Sequence, residues 1–493
     1  MVLWRASYWK RDCRGARGNQ IERKIGSALL SIYVEDAMLQ MLIKNGVCVN
    51  PSGEFQADIA VSEGKIVHIG QALNHAAERV MDANGQSIMP GIIDTHVHLP
   101  WPSSAFDSVD DYISGSTAAM CGGVTTIIEY IVPDESGRIL PALDKQMASA
   151  ESSSYVDFAF HAILRKITPQ TLKEMEKSVS RGITSFKVYT AYSGFQLGDE
   201  DVLTILRKCK DLGALVCFHA EDGVIVNTAT DWLAENGKTD IQYYPEAHPA
   251  AADVSATHRI ITYAKYLGAR IHIVHVNTGS AAYMIGEANR AGWPITGETC
   301  PQYLIFTEEV YSTGKPEAHY FVLAPCIRTE SDRLSLWRAI DSNDLQMVAT
   351  DHCPYTSAQK LENVGDFRKI PGGAGGIETS LPILYTYGVE GKRLSIPRLV
   401  EVMSTNPAKI FNLFPQKGII AVGSDADLII YNPDIETRIS AGKLHSNTDH
   451  TIYEGLDVKG RVVKTILRGV VVSENGEPAI EIPSGQYLAR EPY

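Results

Sequence analysis

The feature that most constrains the fold is a series of eight short apolar runs, most of which precede a helix-like segment. They cover residues 88–98, 123–130, 155–164, 183–190, 215–219, 270–276, 294–298 and 345–350. Continuously apolar strands separated by helices are typical of a parallel sheet buried on both faces. Eight such units predict a closed (β/α)8 TIM barrel. A doubly wound open sheet is the alternative, but no GxGxxG follows the first strand.

Short strands with tight turns flank this region on both sides. Asn45-Gly46 lies between two apolar runs and predicts a β-hairpin. Further strand-like runs occur at 57–61, 65–69 and 79–82 before the barrel, and at 426–431, 460–467 and 469–472 after it. Two separated β segments can form one small sandwich from both flanks. We therefore predict sandwich segments at 38–89 and 418–480, a barrel at 90–417 and a tail at 481–493.

The first 37 residues form a basic extension that the core fold does not need. Seven basic residues and two acidic ones precede residue 25. An arginine-rich, acid-poor start is typical of organelle targeting. A disordered stretch ahead of an effective start at Met38 or Met41 is the other interpretation.

Bulk composition excludes several classes of partner. The formal net charge of −13 argues against nucleic acid and anionic membranes, which need a basic surface. No apolar run reaches the roughly 18 residues of a membrane span. The eight cysteines show no CxxC pairing, which in a chain of 493 residues favours reduced thiols. We therefore expect a cytoplasmic protein, unless the first 37 residues direct it to an organelle.

Unusual polar residues stand where the predicted strands end, the face that carries active sites in such barrels. They are His96 and His98 on strand 1, His219 on strand 5, His275 on strand 6 and Asp351 on strand 8. A spacing of two places both strand-1 imidazoles on one side. Each residue alone fits a satisfied buried polar group, but together they predict a site for zinc or a similar metal.

Strand 4 carries a lysine, Lys187, within an otherwise apolar run. A buried ammonium beside metal ions is electrostatically unfavourable. One interpretation is that Lys187 snorkels to the rim. The other is that CO2 carboxylates its amine, whose pKa burial lowers, to give a carbamate that bridges two metals.

These motifs together resemble the cyclic amidohydrolases, most closely the dihydropyrimidinases and hydantoinases. The matching segments are DTHVH at 94–98, SFK at 185–187, FHAE at 218–221, VHV at 274–276, ETCPQY at 298–303 and TDH at 350–352. The resemblance implies one divalent metal on His96, His98, Lys187 and Asp351. It implies a second on carboxylated Lys187, His219 and His275.

The same resemblance implies the reaction and its other participants. Asp351 would transfer a proton from the attacking water to the leaving ring nitrogen, while Tyr192 would stabilise the oxyanion. Backbone groups near Thr299 and Gly372 would bind the cyclic imide. The family usually has Asn-Gly where this chain has Gly372-Gly373, which puts loop stiffness and substrate preference in doubt. The products would be N-carbamoyl amino acids, as in pyrimidine catabolism, made by a homotetramer.

Two rival functions remain open at this stage. An allantoinase is the nearer one, and Tyr192 argues against it because allantoinases generally lack that tyrosine. The collapsin response mediators share the fold but have lost metal ligands and act as scaffolds. The complete ligand set argues against that class. For Tyr192, packing against the rim is the alternative to a role in the reaction.

Overall fold

The computed structural model describes residues 38–101 and 106–493, so the predicted extension at 1–37 lies outside the described residues. Five strands precede the barrel: β1 Leu39–Asn50, β2 Gly53–Ser62, β3 Lys65–Gly70, β4 Ala77–Asp82 and β5 Ser87–Pro90. The barrel strands are β6 Ile92–Val97, β7 Val124–Ile131, β8 Asp157–Ile163, β9 Ser185–Tyr189, β10 Leu215–His219, β11 Ile271–Ile273, β12 Ile295–Thr299 and β13 Met347–Val348.

The eight barrel strands of the described chain form one parallel sheet in sequence order, with one strand in each predicted apolar run. The edges β6 and β13 meet through His352, which follows β13. The His98 backbone N–H donates to the His352 carbonyl at 2.9 Å, and the His352 N–H donates to the His96 carbonyl at 3.3 Å. The predicted (β/α)8 barrel is confirmed, and the open sheet is wrong.

Helices follow the strands and cover the outside of the barrel. They are α1 Tyr112–Cys121, α2 Ile139–Ser153, α3 Pro169–Ser180, α4 Asp199–Leu212, α5 Gly223–Glu235, α6 Tyr244–Ala247, α7 Ala250–Leu267, α8 Gly279–Arg290, α9 Pro301–Ile305, α10 Glu330–Asp341, α11 Ser357–Leu361, α12 Ser380–Leu384, α13 Ile396–Val400 and α14 Asn406–Ile410. Among the described residues, no helix has the length and apolarity to cross a membrane.

The two flanks form one small β unit, as the sequence predicted, and the predicted sandwich is built from a single mixed sheet. The C-terminal strands are β14 Leu428–Arg438, β15 Asp457–Leu467, β16 Val470–Glu474 and β17 Glu477–Pro478. The junction of the flanks is the antiparallel pair β5–β14. At the far edge, the Ile66 N–H donates to the Ser424 carbonyl at 2.9 Å, just before β14. This contact folds the sheet back on itself, so that both flanks enclose one apolar cluster.

The hairpin predicted at Asn45-Gly46 is wrong, because β1 continues through both residues as one strand with a bulge. Asn45 adopts a left-handed φ of 58°. Its N–H donates to Asp58 at 2.9 Å. A Cβ on residue 46 would lie 2.1 Å from Ile88, so glycine is needed for close packing. The turn signal therefore marks the point where β1 changes its parallel partner from β4 to β5.

Lys417 joins the barrel to the small sheet through a buried ionic cluster. Its Nζ lies 2.7 Å from an Asp157 carboxylate oxygen at the start of β8 and 3.1 Å from Asp425. It also contacts Asp427, and all four side chains are almost fully buried. The nearby carboxylates outweigh the effect of burial and raise the pKa of Lys417. The ammonium thus offsets the repulsion among three carboxylates, together with Arg468 on Asp157 and Lys65 on Asp425.

We predict that Lys417→Met lowers the free energy of unfolding by about 3–5 kcal/mol, the usual cost of leaving buried charges without their partner. Chemical denaturation followed by fluorescence measures this. The matched control is Lys459→Met, which removes an exposed ion pair with Glu390 and should cost under about 1 kcal/mol. Equal losses in both variants would show that the buried cluster does not stabilise the fold.

Candidate metal centre

A cleft of about 1180 Å³ opens at the C-terminal ends of the barrel strands. Eight of the residues predicted to form the site line it: His96, His98, Lys187, Tyr192, His219, His275, Asp351 and Gly372. Three of them are held in the left-handed backbone region, Tyr192 at φ 71°, His275 at φ 38° and Asp351 at φ 54°. Non-glycine residues there cost free energy, and such strain is concentrated at functional sites.

The first group of ligand atoms surrounds Asp351. Its Oδ1 lies 3.1 Å from His96 Nε2 and 3.0 Å from His98 Nε2. Burial lowers the pKa of His98 to about 4, so its imidazole is neutral at pH 7. Burial alone would raise the pKa of Asp351, but His96 and His98 outweigh it and lower that pKa to about 2. Two imidazoles and a carboxylate are suitable ligands for a divalent metal.

The second group consists of His219 and His275. The His219 Nδ1 lies 2.8 Å from the His275 Nε2, and the two rings meet edge to face. Burial lowers the pKa of both rings, which keeps them neutral. Two neutral nitrogens directed at each other share one proton or bind a common cation, so this pair also fits a metal.

Lys187 lines the same cleft as the two groups and does not snorkel to the rim. Its side chain is fully buried, and its Nζ has no hydrogen-bond partner among the described residues. The nearest aromatic faces are Tyr130 at 4.8 Å and Tyr189 at 5.2 Å. Burial lowers the pKa of Lys187 to about 8, against the opposing charges of Asp351 and Glu298. An unpaired ammonium is costly here, whereas a ligand bound to the nitrogen would satisfy it.

Glu298 at the end of β12 holds the first group from below. Its carboxylate accepts from His96 Nδ1 at 2.5 Å and from His272 Nε2 at 3.1 Å. Burial raises the pKa of Glu298, but the two histidines outweigh it and keep the carboxylate ionised. The bond to Nδ1 leaves His96 Nε2 free to bind a metal. Glu298 belongs to the ETCPQY motif, but the sequence alone indicates no role for it.

Glu221 has the same function for the second group and was also missed. Its buried carboxylate lies 3.2 Å from His219 Nε2 and 2.7 Å from His248 Nδ1. It also accepts a hydrogen bond of 2.6 Å from the Tyr192 hydroxyl. The only signal in the sequence is its place two residues after His219.

Of the two predicted substrate contacts, Gly372 lies at the surface of the cleft and Thr299 lies in the interior. Gly372 lines the cleft, and a Cβ there would meet nothing closer than 3.6 Å. The next residue, Gly373, does need to be glycine, because its φ is 146° and a Cβ would lie 2.5 Å from the Cys353 carbonyl oxygen. Thr299 is fully buried beneath the cleft. Its hydroxyl donates to the Val276 carbonyl, and its own carbonyl accepts from Ala349.

Comparison with known proteins identifies the class. Residues 87–472 match the model of the amidohydrolase family. The D-hydantoinase of Geobacillus stearothermophilus is 36% identical over 455 residues, covering 92% of this chain and 97% of that protein. The dihydropyrimidinase structure from Brevibacillus agri superposes with a TM-score of 0.90 at 35% identity, over 92% of this chain and 99% of that one. The L-hydantoinase structure from Arthrobacter aurescens gives 0.86 at 32% identity, over 92% and 100%.

The chain therefore belongs to the amidohydrolase family, whose members are metal-dependent hydrolases. Its similarity to hydantoinases and dihydropyrimidinases extends over more than nine tenths of its length, which confirms the resemblance inferred from the motifs.

We predict that Glu221→Gln weakens metal binding about 10–100-fold. The neutral amide oxygen accepts a weaker hydrogen bond from His219 than the carboxylate does, so the ring is less firmly oriented. Metal affinity is measured by competition with a chelator. Glu135→Gln is the matched control, since Glu135 lines the same cleft and is exposed. A variant at 221 that binds metal as tightly as this control would assign Glu221 to packing alone.

Proposed function

We propose that this protein hydrolyses the ring amide of dihydropyrimidines and 5-substituted hydantoins, giving N-carbamoyl amino acids. The observation that carries the proposal is the meeting of four histidines, Lys187 and Asp351 in one cleft with Tyr192. The names of the relatives, hydantoinases and a dihydropyrimidinase, support the substrate class. We further propose that the active form is a cytoplasmic homotetramer.

The residues present fit two divalent metal ions, and we assign zinc to both. His96, His98 and Asp351 would hold one ion, and His219 and His275 the other, with Lys187 between them as a carbamate. Bound metals would supply Lewis acidity, lowering the pKa of water and polarising the ring carbonyl. The partnerless Nζ of Lys187 supports the carbamate, because its neutral amine, the form that reacts with CO2, is accessible near neutral pH.

Asp351 is assigned the proton transfers. With a pKa of about 2 it is ionised at neutral pH and can accept a proton from the attacking water. The water oxygen then bonds to the ring carbonyl carbon. When the C–N bond breaks, Asp351 returns the proton to the departing nitrogen, which leaves the ring open and the carboxylate restored.

Tyr192 is assigned to the carbonyl oxygen, where negative charge develops. Burial and the neighbouring Glu221 raise the pKa of its phenol, so it stays protonated and can donate. In this structure the hydroxyl donates to Glu221. Donation to a substrate oxygen therefore requires the hydroxyl to exchange this partner, and Glu221 keeps it close to His219 until then.

The rival functions are less well supported. A scaffold of the collapsin response mediator type would lack metal ligands, whereas this chain has the whole set in one cleft. An allantoinase would act on a related ring, and a turnover assay distinguishes it. We expect the purified, zinc-loaded protein to hydrolyse dihydrouracil and hydantoin but not allantoin. Turnover of allantoin alone would contradict the proposal.

We predict that Tyr192→Phe lowers kcat on hydantoin about 10²–10³-fold, because it removes one donor to the developing oxyanion. KM should change less, since the ground-state carbonyl carries little charge. Steady-state kinetics and metal analysis of wild type and variant measure this. Tyr283→Phe, at an exposed tyrosine on α8, is the control. Equal rates for both variants would leave Tyr192 with a packing role only.

A further inference from the structure

Cationic side chains outnumber acidic ones among the residues that line the rim of the cleft, in a protein that is acidic overall. The chain has a formal net charge of −13. The charged residues lining the cleft away from the metal centre are Arg138, Lys145, Arg165 and Arg368 against Asp134 and Glu135. Clefts lined by an excess of one sign focus the electric field and raise the local concentration of oppositely charged ligands. Carboxylates outside this lining neutralise some of these cations, so the cation that can bind an anion is one without such a partner.

Two of the three rim arginines are already neutralised by carboxylates. Arg138 pairs with Glu174, and Arg368 makes bonds of 2.7 and 2.8 Å to Asp366. Arg165 makes no ion pair with any described carboxylate within 4.0 Å. Its positive charge is therefore available to a ligand in the cleft.

Arg165 is also held in place. It follows β8, and its Nε donates to the Gly194 carbonyl at 3.0 Å while Nη1 donates to Pro133 at 3.1 Å. The guanidinium stacks on Phe195, with Cζ 4.5 Å from the ring centre. A guanidinium has five N–H donors, so three remain after these two bonds. A fixed fork with free donors suits a carboxylate, which binds arginine in two-point geometry.

An aromatic strip connects this guanidinium with the metal ligands. The Phe195 ring stacks on Trp101 at 5.8 Å, and Trp101 meets the His98 ring at 4.5 Å. On the other side, Tyr189 lies 5.3 Å from both Phe195 and His219. The strip therefore provides an apolar surface from the metal ligands to Arg165, suited to the methylene groups of a ring substituent with a charged end.

We propose that Arg165 is a specificity-determining residue that binds a carboxylate at the end of the ring substituent. The preferred substrates are then hydantoins or dihydropyrimidines with an acidic side chain, and the products are N-carbamoyl derivatives of amino dicarboxylic acids. This inference rests on the proposed ring hydrolysis and specifies its substrate class.

The test compares two substrates of nearly equal shape, 5-(2-carboxyethyl)hydantoin and its neutral amide, 5-(2-carbamoylethyl)hydantoin. The readout is the ratio of their kcat/KM values within each enzyme, which does not depend on how much of a variant is correctly folded. We expect wild type to favour the acid about 10–100-fold, the usual strength of a hydrogen bond to a charged group. Arg165→Met should bring the ratio close to one.

Two further variants make the test specific to the unpaired charge. Arg165→Lys keeps the cation and should retain part of the preference. Arg368→Met removes a rim arginine that is already paired and should leave the ratio as in wild type. Arg165 could instead serve only to connect the loops that carry Pro133 and Gly194. Its loss would then lower the rates on the acid and on the amide together and leave their ratio unchanged, which would overturn the inference.

Calorimetric titration of both compounds into wild type and Arg165→Met separates the inference from the proposed function. If wild type hydrolyses neither compound but binds the acid more tightly in an Arg165-dependent way, the proposed reaction is wrong and the anion site stands. Hydrolysis or binding of acid and amide without preference contradicts the anion site. If the enzyme shows no such preference but still hydrolyses the amide, the proposed reaction is supported and only the anion site is wrong.

Discussion

All eight barrel strands run in the same direction, and this constraint brings residues from distant parts of the chain to one rim. His98 and Asp351 make a contact of 3.0 Å although 253 residues separate them. The seam at His352 holds the first and last strands together and fixes His96 on β6, and His98 directly after it, beside that aspartate. The loops that carry Tyr192 and Arg165 leave the barrel at the same end, so ligands, proton acceptor and rim share one cleft.

Burial determines the charge of each group in this cleft. It lowers the pKa of His98 and His219, which keeps their nitrogens available for metal. The buried carboxylates of Glu298 and Glu221, behind the two ligand groups, stay ionised because imidazoles accompany them. The Lys187 ammonium contacts no carboxylate of the described chain and is shielded from solvent. The proposed carbamate would change this uncompensated cation into an anion suited to two metals.

Much of this arrangement is predictable from the sequence, because strands and their ends have a local signature. The alternation of apolar runs and helices located the barrel, and residues such as His96 and Asp351 were recognisable at strand ends. Glu298 was assigned no role, because its partner His96 lies 202 residues away and only folding brings them together. The Asn45-Gly46 signal misled because local turn chemistry is the same for a hairpin and for a bulge, and partner strands decide between them.

A metal-bridging carbamate on Lys187 would be visible by 13C NMR. Zinc-loaded protein equilibrated with 13C-labelled bicarbonate should show a carbamate resonance and contain two zinc ions per chain. Lys187→Ala should lack the resonance, lose zinc and activity, and recover part of the activity when a short carboxylic acid takes the place of the bridge. If Lys187→Ala keeps two zinc ions and full turnover, or if the labelled wild type shows no carbamate, the account is wrong.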